Sequence, residues 1–219
     1  MISKNLLKEK QKQRTILIND KKPPRDLKFD PTKKIIGYLS QTMKFLTDTT
    51  VYDFLKMHME VRGRHESEEE TQRLIKKIIV DANTITGEKI KEKMNLLILS
   101  GGQSRALMIA DLIYVSESPI ILIDEIENVG IRVHNALKLL IEEGKIVFIV
   151  THDPLLALNT DKRFVMKNGT ISKVLFSVPK ERGVLSYLSW INDYVLDIRD
   201  QIRKGKQIEE LKLVCSPLS

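Results

Sequence analysis

The stretch that decides the fold runs from Leu99 to Glu125 and reads LSGGQSRALMIADLIYVSESPIILIDE. It begins with a glycine pair, continues with apolar residues at helical spacing, and ends in an unbroken apolar run followed by two acids. This pattern predicts a helix over residues 103–116 and a buried strand over residues 119–124. Such an alternation is typical of an α/β protein with a parallel sheet and flanking helices, in which chemistry takes place at the carboxyl ends of the strands.

Elements of the same two kinds occupy the rest of the chain. We predict further helices over residues 2–13, 49–61, from 67 onward, 133–142 and 184–214. We predict further strands over residues 15–18, 35–39, 146–150, 164–166 and 170–176, and a polar, irregular segment over residues 84–95. Ser67 to Glu70 has the form of a capping box, and Asn168-Gly169 is a strong signal for a hairpin turn.

The composition favours a cytoplasmic protein. Of the 219 residues, 42% are hydrophobic and 30% are charged, and no apolar run approaches the roughly 18 residues that a bilayer-spanning helix needs. The N-terminus has no apolar core of the kind that secretory signals have. Cys215 is the single cysteine, so an internal disulfide is excluded and a reducing compartment is expected.

The net charge of +7 is concentrated near the N-terminus. Residues 1–44 contain 12 Lys and Arg against 4 Asp and Glu. A basic segment can meet nucleic acid, anionic lipid or nucleotide phosphates, or it can be a solvated helix face followed by a polar loop. We favour the solvated face, because residues 1–28 contain no aromatic side chain on which a base could stack. Direct nucleic-acid binding is therefore not expected.

The first candidate site is Ser100-Gly101-Gly102-Gln103, directly before the predicted helix 103–116. Two glycines let a ligand approach the backbone closely, and Ser100 offers a hydroxyl. The helix start adds N–H groups and the positive end of a dipole, which suit the terminal phosphate of a nucleotide. An ordinary glycine turn that caps a helix explains the same residues about equally well.

Two further candidate sites follow apolar strands. Asp124 and Glu125 come directly after four branched apolar residues, where Asp124 can hold Mg²⁺ and Glu125 can polarise an attacking water. His152 follows the next apolar strand, where an imidazole can contact both a γ-phosphate and that water. The simpler alternatives are solvated acids and a lone surface histidine. Two adjacent acids after four branched apolar residues favour the functional interpretation of Asp124 and Glu125. For His152 it is favoured by a position 27 residues after Glu125, on the adjacent strand pattern.

Together these pieces resemble the ATP-binding cassette (ABC) ATPases over roughly residues 3–176. Leu99–Gln103 is similar to the family's signature, Asp124-Glu125 to its Walker B element, and His152 to its H-loop. Tyr38-Leu-Ser-Gln41 resembles the Q-loop, whose glutamine reaches the metal and the attacking water. Thr50-Val-Tyr-Asp-Phe54 resembles the start of the helical subdomain.

The resemblance implies an ATP-hydrolysing subunit with ATP and Mg²⁺ as its cofactors. Glu125, His152 and Gln41 would be catalytic, and Asp124 and Gln41 would hold Mg²⁺. In this family two cassettes pair head to tail as homo- or heterodimers, and each signature contacts ATP bound by the partner. Ser100, Gly101, Gly102 and Gln103 would do so here.

The sequence departs from the family pattern in two places. It contains no Walker A pattern, Gly-x-x-x-x-Gly-Lys-Ser/Thr, which cradles the phosphates. Ile2 to Leu7 resembles the helix that follows this loop, so we expect an N-terminally truncated cassette that lacks a strand and the loop. That expectation puts in doubt whether the chain hydrolyses ATP by itself. Residues 127–131 also lack the aspartate that the family often has in its D-loop.

We expect residues 1–180 to form the cassette, with a helical subdomain at about 45–100, and residues 181–219 to form a helical extension. The favoured function is an energy-supplying subunit of a membrane transporter, held at the inner face of the membrane by a partner. A non-catalytic cassette that donates its signature, and a soluble ABC protein that acts on a ribosome or another assembly, are the alternatives. The span of 58 positions from Gln41 to Leu99 is too short for the long coiled coil of chromosome-maintenance ATPases.

Overall fold

The structure is a computed structural model that describes residues 17–18, 20–24, 29–126 and 131–208. Outside these residues lie the predicted helix 2–13, half of the predicted strand 15–18, nearly all of the D-loop and the end of the last predicted helix. The chain divides into two compact units. One comprises Met1–Ile123 and Val129–Phe148, and the other comprises Asp124–Asn128 and Ile149–Ser219.

The elements follow the predicted order. They are β1 Ile36–Leu39, α1 Val51–Val61, α2 Glu68–Ile85, α3 Gly101–Tyr114, β2 Ile120–Asp124, α4 Val133–Glu142, β3 Ile146–Val150, α5 Pro154–Leu158, β4 Lys162–Lys167, β5 Thr170–Phe176 and α6 Pro179–Arg203. Short 3₁₀ helices cover Pro31–Lys33 and Leu96–Ile98. Among the described residues, no helix is both long enough and apolar enough to cross a membrane.

Strands β1 and β2 run parallel, as the apolar strand pattern predicts. Their register pairs Ile36 with Ile120 and Leu39 with Ile123, and the sheet order is β1-β2-β3. A Cβ atom placed on Gly37 of β1 would lie 2.8 Å from a methyl carbon of Leu112 on α3. Glycine at this position therefore lets helix α3 approach the sheet closely.

The helical part of the first unit is organised by capped helices. Ser67 accepts a hydrogen bond from the backbone of Glu70, whose carboxylate accepts one from the backbone of Ser67, so the predicted capping box is confirmed. Helix α2 extends to Ile85, so it includes the first two residues of the segment 84–95 that was predicted to be irregular. Its length follows from burial, because Ile78, Ala82 and Ile85 continue one fully buried stripe.

The second unit contains the β4–β5 hairpin and the long helix α6. Asn168 and Gly169 have φ values of 51° and 73°, which confirms the predicted turn and fits its primed type. Helix α6 begins at Pro179, five residues before the predicted start at Val184. The earlier start is stabilised by Glu181, which accepts hydrogen bonds from Arg163 on β4 and from the backbone of Val178.

The contact between Tyr114 and Asp81 gives a test of packing in the first unit. The Tyr114 hydroxyl on α3 donates to the Asp81 carboxylate on α2 at 2.6 Å. Burial, followed by this hydrogen bond, raises the pKa of Tyr114 well above its usual value near 10. The neutral hydroxyl is therefore favoured in the folded state.

We expect Tyr114→Phe to lower the free energy of unfolding by about 1 kcal/mol at pH 7. Because the folded-state pKa is raised, this contribution is fully present below about pH 10 and is lost as the pH rises further. Urea unfolding at pH 7 and at increasing alkaline pH measures both effects. Tyr187→Phe, on the exposed face of α6, is the control and should show neither. A difference between wild type and Tyr114→Phe that grows above pH 10 would contradict the assignment.

Candidate functional site

The glycine pair lies at the start of helix α3 and is framed by a reciprocal cap. Ser100 Oγ accepts a hydrogen bond from the Gln103 backbone at 3.2 Å, and Gln103 Oε1 accepts one from the Ser100 backbone at 2.9 Å. Gln103 Nε2 also donates to the Lys89 carbonyl at 3.0 Å. The helix therefore begins at Gly101, two residues before the predicted start, because the cap brings both glycines into its first turn.

The predicted signature residues differ in their exposure to solvent. Gln103 is buried, with 7% exposure, and its side chain completes the cap. Gly101 is exposed and Gly102 is half-buried at the helix start. Their backbone is approachable, and the helix dipole makes this end attractive to an anion.

Asp124 is the last residue of β2, and Glu125 follows it in an unusual backbone conformation. Glu125 has a φ of 48°, in the left-handed region that a residue with a Cβ atom seldom adopts. Its backbone N–H donates to the Val150 carbonyl at the end of β3, at 3.0 Å. Glu125 is thus tied to the carboxyl end of the neighbouring strand, within the second unit.

His152 lies two residues after β3, and its side chain approaches Glu125. His152 Nε2 is 3.6 Å from Glu125 Oε1, and the two side chains are 86% and 25% exposed. The loop that carries His152 is fixed by Asp153, whose Oδ1 accepts hydrogen bonds from Leu155 and Leu156 at the start of α5. Two of the three predicted catalytic side chains therefore lie together.

Gln41 lies in the first unit, on the exposed segment that follows β1. Its backbone carbonyl accepts a hydrogen bond from Arg105 of helix α3 at 2.5 Å, and Arg105 also donates to the Ser40 carbonyl. Arg105 is only 3% exposed. Sequence reasoning missed Arg105, although a cation within a largely apolar helix was a visible signal.

The described residues contain no group of three or more His, Cys, Asp and Glu side chains that could hold a metal ion by themselves. Asp124 supplies one half-buried carboxylate at the end of β2. A single carboxylate that acts together with substrate phosphates and water is a usual way to bind Mg²⁺. The donor set therefore fits an ion that arrives with a nucleotide.

Comparison with known proteins agrees with these observations. Residues 1–128 match the family model described as ABC transporter. The chain is also 45% identical over 204 residues to the uncharacterized ABC transporter ATP-binding protein MJ0121 of Methanocaldococcus jannaschii, covering 92% of this chain and 76% of that protein. The chain belongs to the ABC transporter ATP-binding family. The predicted family is thereby confirmed.

Solved ABC cassettes share the fold. The dimeric post-hydrolysis structure of the cassette MJ0796 with ADP and Pi matches with a TM-score of 0.60 and 22% identity, covering 73% of this chain and 71% of that one. The cbiO1 protein of Clostridium perfringens, part of the ABC transporter complex cbiONQ, matches with a TM-score of 0.55 and 22% identity, covering 83% and 72%. The predicted α/β cassette fold is confirmed by these matches.

The left-handed backbone conformation of Glu125 can be tested by a measurement of stability. A side chain in the left-handed region costs roughly 1–2 kcal/mol. We therefore expect Glu125→Gly to unfold with a free energy about 1 kcal/mol higher than Glu125→Ala, which keeps the strain but lacks the carboxylate. Urea denaturation of the two variants measures the difference. Equal stabilities, or a more stable Ala variant, would show that the backbone relaxes at this position.

Proposed function

We propose that this ABC protein is the ATP-binding and ATP-hydrolysing subunit of a membrane transporter, and that it works with a second cassette paired head to tail. The observation that carries the proposal is the approach of His152 to Glu125, at 3.6 Å. A carboxylate and an imidazole held side by side can accept a proton from water and orient that water toward an electrophile.

In this mechanism Glu125 accepts a proton from the attacking water. The water oxygen bonds to the γ-phosphorus, and the bond from that phosphorus to the β–γ bridging oxygen breaks, which yields ADP and phosphate. His152 is exposed enough to contact the γ-phosphate while it lies next to Glu125. We also propose a catalytic role for Gln41, on its resemblance to the glutamine of the family's Q-loop.

Asp124 and Gln41 would hold Mg²⁺, since both offer the oxygen ligands that this ion prefers. When bound, the ion neutralises negative charge on the phosphates. Asp124 and Glu125 are consecutive residues with separate roles. The carboxylate of Asp124 would bind the metal, and that of Glu125 would accept the proton. Separate roles are useful because a carboxylate bound to a metal is a poor proton acceptor.

The signature would act on a nucleotide held by the partner cassette. Ser100, Gly101, Gly102 and Gln103 form the capped start of α3, where Gly101 is exposed. A helix start with approachable N–H groups suits the γ-phosphate of that nucleotide. The solved MJ0796 cassettes with this fold are described as dimeric, which favours the same arrangement here.

The transporter role is supported by the relatives rather than by a surface of this chain. MJ0121 is named as an ABC transporter ATP-binding protein, and cbiO1 is described as part of a transporter complex. We propose that residues 1–180 form the cassette, with a helical subdomain at about 45–100, and that residues 181–219 form an extension. The membrane-embedded partner would hold the chain at the cytoplasmic face.

The proposed hydrolytic role predicts that a single substitution at Glu125 strongly lowers ATP turnover. In a complex with a second cassette whose own catalytic glutamate is replaced by Gln, Glu125→Gln should lower kcat for MgATP by at least about a hundredfold, because the proton acceptor is lost. The exposed acid Glu142 gives the control, and Glu142→Gln should leave kcat unchanged. Steady-state phosphate release measures both. Full turnover by Glu125→Gln would exclude catalysis by this chain and would leave it as a donor of the signature.

The transporter role predicts where the chain is found in a fractionated cell. A tagged full-length chain should co-float with membrane vesicles and should leave them when the membrane partner is deleted. The ribosome pellet should contain no more of it than of a cytosolic marker. Enrichment with ribosomes and absence from vesicles would favour a soluble ABC protein that acts on a large assembly, and would overturn the transporter assignment.

A further inference from the structure

Three aromatic side chains lie in a row along one face of the long helix α6. Tyr187, Trp190 and Tyr194 follow one another at spacings of three and four residues, which brings side chains of a helix onto the same face. The ring centroids of Tyr187 and Trp190 are 5.9 Å apart, and those of Trp190 and Tyr194 are 6.2 Å apart. Tyr187 is 39% exposed, and the other two rings are half-buried. Solvent therefore reaches this row of stacked rings.

Two exposed carboxylates border the row. Asp193 lies three residues after Trp190, and Asp197 lies three residues after Tyr194, so each acid is a neighbour of a ring on the helix surface. Residues 183–198 contain these two acids and no Lys or Arg, although the whole chain has a net charge of +7. This part of α6 is thus an anionic surface on a basic protein.

The stability of the helix does not explain these two acids. Asp193 and Asp197 are four residues apart, where like charges repel each other and destabilise a helix. Both lie well after the first turn of α6, which is where a carboxylate would be favoured by the helix dipole. Asp197 accepts a hydrogen bond from the uncharged amide of Gln201 at 2.6 Å. Within the described part of the chain, neither carboxylate forms an ion pair. Their negative charge is available to a cation from outside the helix.

We propose that this face of α6 binds an arginine-rich segment of a partner protein. A guanidinium is planar, so it can stack on an aromatic ring and at the same time donate two parallel hydrogen bonds to a carboxylate. Rings and carboxylates that alternate along the face offer both contacts within one turn of the helix. A second copy of α6 would bring its own carboxylates against this face, and an anionic lipid surface would be repelled by them. The proposal does not depend on ATP hydrolysis.

The single tryptophan of the chain gives a direct readout, because Trp190 lies in the middle of the row. The probe is a synthetic peptide of five Arg-Gly repeats, titrated into the full-length chain, and a Lys-Gly peptide of equal length is its comparison. We expect a saturable change in Trp190 fluorescence, with a Kd at least fivefold lower for the arginine peptide. A flat titration, or equal Kd values for the two peptides, would overturn the proposal.

Substitutions on the face test whether the acids and the rings bind the peptide. Replacing both acids, Asp193→Asn with Asp197→Asn, should raise the Kd for the arginine peptide at least tenfold, because shape is kept and charge is lost. Tyr194→Leu keeps an apolar side chain without a ring and should raise the Kd at least fivefold. Asp161→Asn removes an exposed acid outside α6 and is the matched control, with a Kd within twofold of wild type. Circular dichroism should show equal helix content in all variants. Wild-type affinity in the doubly substituted protein would contradict the proposal.

The other possible occupants of this face give different results. In sedimentation without nucleotide, Tyr194→Leu should leave the mass of the particle unchanged, whereas a dimer that this substitution dissociates would identify a second copy as the occupant. Vesicles that contain phosphatidylserine should leave Trp190 fluorescence unchanged, whereas a saturable response would identify a membrane surface. Either of these alternative results would replace the arginine-rich partner.

Discussion

The burial of helix α3 is the constraint on which the first unit depends. Ten of its fourteen residues are buried, so this helix has almost no solvent-facing side on which a charge could be placed freely. Arg105 and Asp111 are nevertheless on it, and each has a specific partner, the Ser40 and Gln41 carbonyls for one and His58 for the other. Ser40 and Gln41 directly follow strand β1, and His58 lies on helix α1. The contacts of the two charged side chains therefore fix where those elements lie.

The start of α3 combines a structural role with a binding role. Ser100 and Gln103 complete each other's cap, which stabilises the first turn and leaves the glycines between them exposed or half-buried. Glycine at both positions places no side chain beside the first N–H groups of the helix, which are the groups that an anion approaches. The serine and the glutamine are therefore explained by helix stability, whereas the glycine pair is explained by access to the backbone.

Sequence reasoning predicted what depends on local pattern. The strands β1 and β2, the Ser67 cap and the Asn168-Gly169 turn follow from spacing and from backbone preferences of neighbouring residues. The pairing of Glu125 with His152 follows from two apolar strands that end at one sheet edge. The contact of Arg105 with Gln41 did not follow, because it joins residues 64 apart. The roles of Asp124, Gln41 and the signature in catalysis stay predictions.

The conformation of Glu125 argues that its carboxylate has a role beyond stability. Glycine would adopt a φ of 48° without penalty, whereas glutamate pays roughly 1–2 kcal/mol for it. The bond from its N–H to Val150 holds the backbone in place, and this backbone brings the side chain near His152 rather than into free solution. Strained residues of this kind cluster at functional sites. A solvated acid at a strand end would need no such geometry, so the strain supports the catalytic role that we propose for Glu125.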